Sequence, residues 1–180
     1  MRRAIFLDRD GVINEKMPDG RYVTRWEEFK FLPGVAEAIK AFNDMGFLVV
    51  IVTNQRGIAK GLYTEEDLRE IHRRMCRRIE RAGGRIDAIY YCPHDIHENC
   101  NCRKPKPGMI LKAAEELKID LPSSYLIGDS ITDIQCGKKA GVGINMLVRG
   151  GSKEERGEEM IVIESLREAV KLIGRRETTI

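Results

Sequence analysis

The chain has no long hydrophobic run. No stretch of its 180 residues approaches the roughly 20 apolar positions that a membrane-crossing helix needs. Behind Met1-Arg2-Arg3 stand only about five strand-like residues, too few for the apolar centre of a secretory signal. Charge of one sign is also lacking. The formal net charge is only +3, so composition alone gives no nucleic-acid footprint. The arginines at 73, 74, 77, 78 and 81 are interleaved with Glu70 and Glu80 and read as the solvated face of a helix. Repeats and low-complexity segments are absent, which excludes solenoids and disordered arrays. Cysteine is scarce and odd in number. Of five, three fall within the eleven positions from Cys92 to Cys102, a clustering that favours metal over disulfides in a reducing compartment. A cytoplasmic protein, with no membrane and no nucleic acid among its partners, is the expectation.

What is present alternates between two periods. Apolar strand-like runs occupy 3–8, 47–52, 86–91, 125–127, 144–148 and 160–163. Between them, helical spacing covers 35–45, 64–82, 107–117, 131–140 and 165–173, with Thr64 and Ser165 placed as N-caps and Gly46 and Gly83-Gly84 as stops. Residues 9–33 form a long connection rich in turn residues, and the charged stretch 152–159 reads as a surface loop. This pattern predicts one α/β domain over 1–180. Its sheet is doubly wound and mainly parallel, with helices on both faces and no insertion long enough for a large cap domain. The loops after residues 8, 53, 92 and 128 then leave strand ends on one edge and can meet over one crevice.

The chemistry-bearing residues fall on those ends. Asp8-Arg9-Asp10-Gly11 puts two carboxylates one residue apart where the first strand stops. Such a pair can hold a hard cation and divide nucleophilic and acid/base work, although Asp-Gly is also an ordinary turn. The second strand ends in Thr53-Asn54-Gln55, a hydroxyl and two amides able to donate to phosphate oxygens. Arg56-Gly57-Ile58-Ala59-Lys60-Gly61 follows, with glycines for close approach and two cations, but without the spacing of a Walker loop. Arg103-Lys104-Pro105-Lys106-Pro107 sets three cations in a stiffened run before a helix N-terminus. Gly128-Asp129-Ser130 ends the fourth strand, and Asp133 stands in the first turn after it, as ligand or as helix-end charge. Cys92, His94, Cys100 and Cys102 form a Cys₃His set suited to structural Zn²⁺, with His97 as a substitute ligand. That loop, 92–102, ends directly on Arg103-Lys104, so a bound ion would aim both cations at the crevice. Cys76 and Cys136 lie within helical patterns and read as packing residues.

Taken in order, Asp-x-Asp-Gly, Thr53, Lys104 and Gly-Asp-x-x-x-Asp resemble the haloacid dehalogenase superfamily of aspartate-nucleophile phosphohydrolases. The resemblance implies a Rossmann-like fold, Asp8 as nucleophile and Asp10 as general acid/base. It implies Mg²⁺ on Asp8, Asp129 and the Asp10 carbonyl, and Thr53 and Lys104 on the transferring phosphoryl group, with Lys106 as the rival lysine. Gly57-Ile58-Ala59-x-Gly61, Tyr91-Cys92-Pro93-His94, Cys100-x-Cys102-Arg103-Lys104-Pro105 and Pro107-Gly108-Met109 further resemble the heptose 1,7-bisphosphate 7-phosphatases of that superfamily. This implies a sugar bisphosphate as partner, a monomer, and Asn54, Gln55, Arg56, Arg103 and Lys104 as substrate contacts beside Thr53. Arg103 would meet the second phosphate or sugar oxygens. The loop has only five residues between His94 and Cys100, a short form that also resembles histidinol-phosphate phosphatases. In a different class stands a zinc-knuckle nucleic-acid module, supported only by Tyr90, Tyr91 and the arginine-rich helix.

Overall fold

The protein is described by a computed structural model covering residues 1–148 and 160–178, so the charged stretch 152–159 lies outside the described residues. Six strands form one sheet: β1 Ala4–Leu7, β2 Leu48–Asn54, β3 Ala88–Cys92, β4 Tyr125–Gly128, β5 Ile144–Val148 and β6 Ile161–Ile163. Their order is β3-β2-β1-β4-β5-β6, and every neighbouring pair is parallel. Five helices join them: α1 Val35–Asp44, α2 Glu65–Arg81, α3 Gly108–Leu117, α4 Ile131–Ala140 and α5 Leu166–Glu177.

Strand alternation builds two cores. Ile5, Leu7, Val49, Ile51 and Ile127 face one side and pack against Ile39 and Phe42 of α1, Ile71 and Met75 of α2, and Ala169 and Ile173 of α5. Ala4, Phe6, Val50, Val52 and Leu126 face the other, against Ile110 and Ala113 of α3 and Ile134 and Cys136 of α4. Strands covered on both faces have no polar side, which is why they read as unbroken apolar runs. Cys136 is part of the second core and Cys76 packs on the first, as packing residues should.

Several boundaries differ from the expected ones for local reasons. β2 runs on through Thr53 and Asn54, because β3 offers Tyr91 and Cys92 as parallel partners there. β3 begins at Ala88, two residues late, since the Asp87 carboxylate takes the Val49 N–H at 2.8 Å. Thr64 caps α2 reciprocally with Asp67. Ser165 stands at the N-cap of α5 but makes no side-chain cap bond, and that helix continues to Glu177, which pairs with Arg3 at 2.7 Å. On α2, Glu70 pairs with both Arg73 and Arg74, in keeping with a solvated face.

The long connection after β1 is ordered by its own turn. The Arg9 carbonyl accepts the N–H groups of Val12, Ile13 and Asn14, at 3.2, 2.8 and 3.2 Å. Two extended stretches then pair, with Leu32 N donating to Ile13 O and Glu15 N to Lys30 O. A short 3-10 helix at Trp26–Glu28 follows the intervening loop, and Trp26, Phe29 and Phe31 cluster their rings at 5.0–6.4 Å. The chain builds β2 and β3 on one side of β1 and then crosses to β4 on the other. The strand order therefore reverses between β1 and β4, and ligand crevices form outside the carboxyl ends at such a point.

Candidate active site

Asp8 follows β1 and Asp129 follows β4, so the topology places both carboxylates at this switch point. With them, Arg103 and Lys104 line an open cavity of about 280 Å³, bordered by the loop from Lys16 to Val23.

Lys104 is 5 % exposed and lies beneath the carboxylates. Its Nζ donates to Asp8 Oδ1 at 2.9 Å and to the Val52 carbonyl at 2.9 Å, and stands 2.6 Å from Asp133 Oδ1. Burial works against its charge, but Asp133 and Asp8 overcome that and hold the ammonium protonated. Asn54 fixes the main chain here: its Oδ1 accepts the Lys104 N–H at 3.1 Å and its Nδ2 donates to the Lys104 carbonyl at 3.3 Å. Asp133 is both ligand-like and cap-like. While one oxygen meets Lys104, the other accepts from Ser130 N, Ser130 Oγ and Asp129 N at 2.9–3.2 Å, closing the start of α4. Gly128 makes room for it, because a Cβ there would fall 2.2 Å from Asp133 Cβ.

Asp8 and Asp10 sit in opposite environments. Burial, then Asp133 and Asp129, push Asp8 well above the ordinary carboxylate range despite Lys104. Burial also acts on Asp10, but the Arg9 charge and hydrogen bonds from Asn14, Arg9 and Gln55 bring it below that range. Asp10 Oδ1 accepts from Arg9 Nη2 and Asn14 Nδ2, each at 2.9 Å, and Oδ2 from Gln55 Nε2 at 3.1 Å. Gln55 is itself held by the Thr53 hydroxyl at 2.9 Å and by Tyr63.

Carboxylate oxygens of Asp8, Asp129 and Asp133 lie within 4.8 Å of one another. A hard divalent cation fits this donor set, because among the described residues the three clustered carboxylates pair with the Lys104 ammonium and with the exposed Lys16, whose Nζ reaches Asp129 Oδ2 at 2.9 Å. The ligand atoms of Cys92, His94, Cys100 and Cys102 are likewise within 4.8 Å of one another. Cys92 Sγ is 3.6 Å from both Cys100 Sγ and His94 Nδ1, and His94 Nδ1 is 3.2 Å from Cys102 Sγ. Tetrahedral zinc with ordinary bond lengths implies edges of about 3.5–3.8 Å. The two Cys92 distances match and the His94–Cys102 distance is shorter, so the donor set is compatible with zinc. His94, and not His97, is in it.

Not every expected contact faces the cavity. Asn54, Gln55, Arg103 and Lys104 line it. Arg103 Nη1 is buried with no hydrogen-bond partner among the described residues. Thr53 is buried below, its hydroxyl accepting from Gln55. Arg56 turns to the cysteine loop and pairs with Asp95 at 2.8 Å. Lys106 also serves that loop, donating to Asn99 Oδ1 and the Cys100 carbonyl at 2.8 Å. Lys16, Arg21 and Tyr22 line the cavity without any sequence signal beyond their place in the long connection. Arg9, Asn14, Tyr63 and His72 make up a buried network behind Asp10; Asn14 alone, four residues after Asp10 in the same turn, had a signal in its spacing.

Residues 101–169 match the HAD-hydrolase-like family model. The D-glycero-beta-D-manno-heptose-1,7-bisphosphate 7-phosphatase of Yersinia pestis is 41% identical over 183 residues, covering 96% of each chain. The D-glycero-alpha-D-manno-heptose-1,7-bisphosphate 7-phosphatase of Campylobacter jejuni is 43% identical over 152 residues, 84% of this chain and 86% of that one. Among solved structures, a D,D-heptose 1,7-bisphosphate phosphatase from B. bronchiseptica, complexed with magnesium and phosphate, superimposes with a TM-score of 0.86 at 35% identity, covering 97% of this chain and 99% of that one. A site of this geometry, with relatives of this identity along nearly the whole chain, makes the protein a member of the heptose-1,7-bisphosphate 7-phosphatase family of HAD-like hydrolases.

Proposed function

We propose that this protein is a Mg²⁺-dependent phosphomonoesterase that removes the C7 phosphate of D-glycero-D-manno-heptose 1,7-bisphosphate through an aspartyl phosphate on Asp8. The observation that carries the reading is the pairing of Asp8 with the buried Lys104 at the switch point, with a differently held Asp10 two residues on. Asp8 forms a bond to phosphorus as the bond from phosphorus to the C7 oxygen breaks. Asp10, held ionised in the free enzyme, takes up a proton as the substrate dianion binds and gives it to that oxygen. It then takes one from the water that attacks the aspartyl phosphate and frees inorganic phosphate. Lys104 holds the equatorial oxygens of the transferring group, Asp133 positions Lys104, and the buried Thr53 hydroxyl acts from below by holding Gln55. Asp8, Asp129 and the Asp10 carbonyl would hold Mg²⁺, which when bound offsets the repulsion between the Asp8 carboxylate and the phosphate dianion.

Arg103 takes the second phosphate, since it lines the cavity, its fork suits bidentate phosphate recognition and its Nη1 has no hydrogen-bond partner among the described residues. Structural Zn²⁺ on Cys92, His94, Cys100 and Cys102 fixes the segment that delivers Arg103 and Lys104. The reduced thiols that such an ion needs support a cytoplasmic protein, which we read as a single-domain monomer feeding nucleotide-activated heptose into lipopolysaccharide core or surface glycans.

The test is a substrate comparison with Mg²⁺. Both anomers of the heptose 1,7-bisphosphate, fructose 1,6-bisphosphate and histidinol phosphate are assayed side by side. The heptose bisphosphate is expected to show the highest kcat/KM, with phosphate lost from C7. A strong preference for histidinol phosphate overturns the assignment.

A further inference from the structure

Arg9 is the largest of the fully buried side chains, a cation with 1 % exposure lying between the two aspartates in sequence. A buried guanidinium has a definite direction only if its partners set it. Three contacts do so. Nη2 donates to Asp10 Oδ1 at 2.9 Å, the guanidinium carbon lies 5.8 Å from the centre of the Phe29 ring, and Nη1 stands 3.2 Å from Nε2 of His72. His72 reaches this point from α2, 63 residues further along the chain. It occupies a position on the buried stripe of Leu68, Ile71, Met75 and Ile79, where an aliphatic side chain would satisfy packing alone. Burial and then the Arg9 charge lower its pKa to about 3, so the ring is neutral and offers Arg9 a lone pair. Tyr91 lies edge-on at 6.4 Å and completes the pocket around the ring.

We propose that His72 is a positioning residue for the Asp10 carboxylate, acting through Arg9. This rests on the reading of Asp10 as general acid/base given above. His72 accepts from one arm of the Arg9 fork, which turns the other arm onto Asp10 Oδ1. Asn14 shares that oxygen and Gln55 takes the second, so the carboxylate plane is set from both sides. Without the acceptor on His72, Nη1 becomes an unpaired buried donor. The fork then turns to find another acceptor and carries Asp10 out of line with the leaving oxygen.

The test compares two leaving groups in single-turnover rapid-quench experiments with enzyme in excess. One is the heptose bisphosphate itself, whose C7 alkoxide leaves only with a proton. The other is its bridging 7-phosphorothiolate analogue, whose thiolate leaves without one. Asp10→Asn calibrates the assay and should slow the oxygen ester selectively. His72→Phe keeps a ring of similar bulk but cannot accept from Arg9. It is expected to slow the oxygen ester about 10- to 100-fold and the sulfur ester less than about two-fold. His72→Gln, with an amide oxygen near the position of Nε2, should recover most of the loss. Equal losses on both esters, or no loss on either, would overturn the role of His72. If Asp10→Asn itself fails to separate the two esters, the assignment of Asp10 is what fails. Should His72→Phe not fold, His72→Leu takes its place, and if neither folds, a Gln variant that still discriminates like Asp10→Asn counts against the proposal.

Discussion

Replacing Asp133 with Asn probes the floor of the site while leaving its shape alone. Asp133 is buried and serves two partners with separate oxygens, Lys104 at 2.6 Å and the Ser130 end of α4 at 2.9–3.2 Å. Asn has one acceptor, so one of the two sets is lost. If its oxygen stays on the helix end, its NH₂ group faces the Lys104 ammonium. Breaking a buried ion pair by removing one partner costs about 3–5 kcal/mol. Lys104 still has Asp8 Oδ1 and the Val52 carbonyl at 2.9 Å, which favours the lower end, about 3 kcal/mol. If the oxygen turns to Lys104 instead, the cap is lost at about 1 kcal/mol and the ion pair weakens to an ion–dipole contact, so the total is similar. For a chain of this length each kcal/mol shifts Tm by about 2–4 °C, giving a fall of roughly 6–12 °C. Lys104 would also lose its lateral hold, and phosphate release should slow about 10- to 100-fold. Thermal unfolding by circular dichroism and steady-state phosphate release measure the two effects. A Tm within about 2 °C of the parent, less than 1 kcal/mol, would refute Asp133 as the counter-charge of Lys104.

Three further outcomes follow from the same geometry. Cys102→Ala leaves three ligands of the Cys₃His set next to Arg103. Elemental analysis should show loss of zinc and the KM for the bisphosphate should rise, whereas an unchanged KM in a zinc-free variant would break the link between this loop and substrate binding. Gly11→Ala must hold a left-handed φ of +88° and put a Cβ 2.3 Å from Asp129 Oδ2. The half-saturating Mg²⁺ concentration should rise, and an unchanged one would separate Asp129 from the cation site. Protein dialysed free of Mg²⁺ should lose stability as pH rises from about 4. Asp8 is raised in the folded state, so the folded protein holds more protons than the unfolded one from the unfolded pKa up to the folded one, and ionising Asp8 opposes folding across that window. Asp10, lowered when folded, acts in the opposite sense, and its contribution is lost only below that window as pH falls. Urea titrations across pH with and without Mg²⁺ measure this, and a stability that rises through the window without metal contradicts it.

The parts of this site legible in the sequence are those that break a pattern. Asp8 and Asp129 are charges at the ends of apolar runs that must be buried on both faces, so they could only be strand-end residues. The Cys₃His set stood out because its spacing has no packing use. Lys104 and Lys106 could not be separated by composition, since both follow the same loop. The structure separates them by direction, one under the carboxylates and the other clasping the Asn99 and Cys100 segment. Thr53 and Asn54 lie beyond the apolar run 47–52 because they are polar, yet parallel pairing with Tyr91 and Cys92 keeps them in the sheet. His72 was hidden for the opposite reason. It falls in register with the apolar stripe of α2, and only contact with Arg9 across 63 residues distinguishes it from packing. Arg56 had the right charge and neighbourhood, but Asp95 offers it a nearer partner.

The central claim is that Asp8 carries the phosphoryl group. Enzyme mixed with the heptose 1,7-bisphosphate and Mg²⁺, quenched in acid within one turnover and digested, can be searched by mass spectrometry for phosphorylated peptide. The account predicts phosphate on Asp8 in the parent protein, and neither that adduct nor phosphate release in Asp8→Asn. An Asp8→Asn variant that releases phosphate at the parental rate would contradict it.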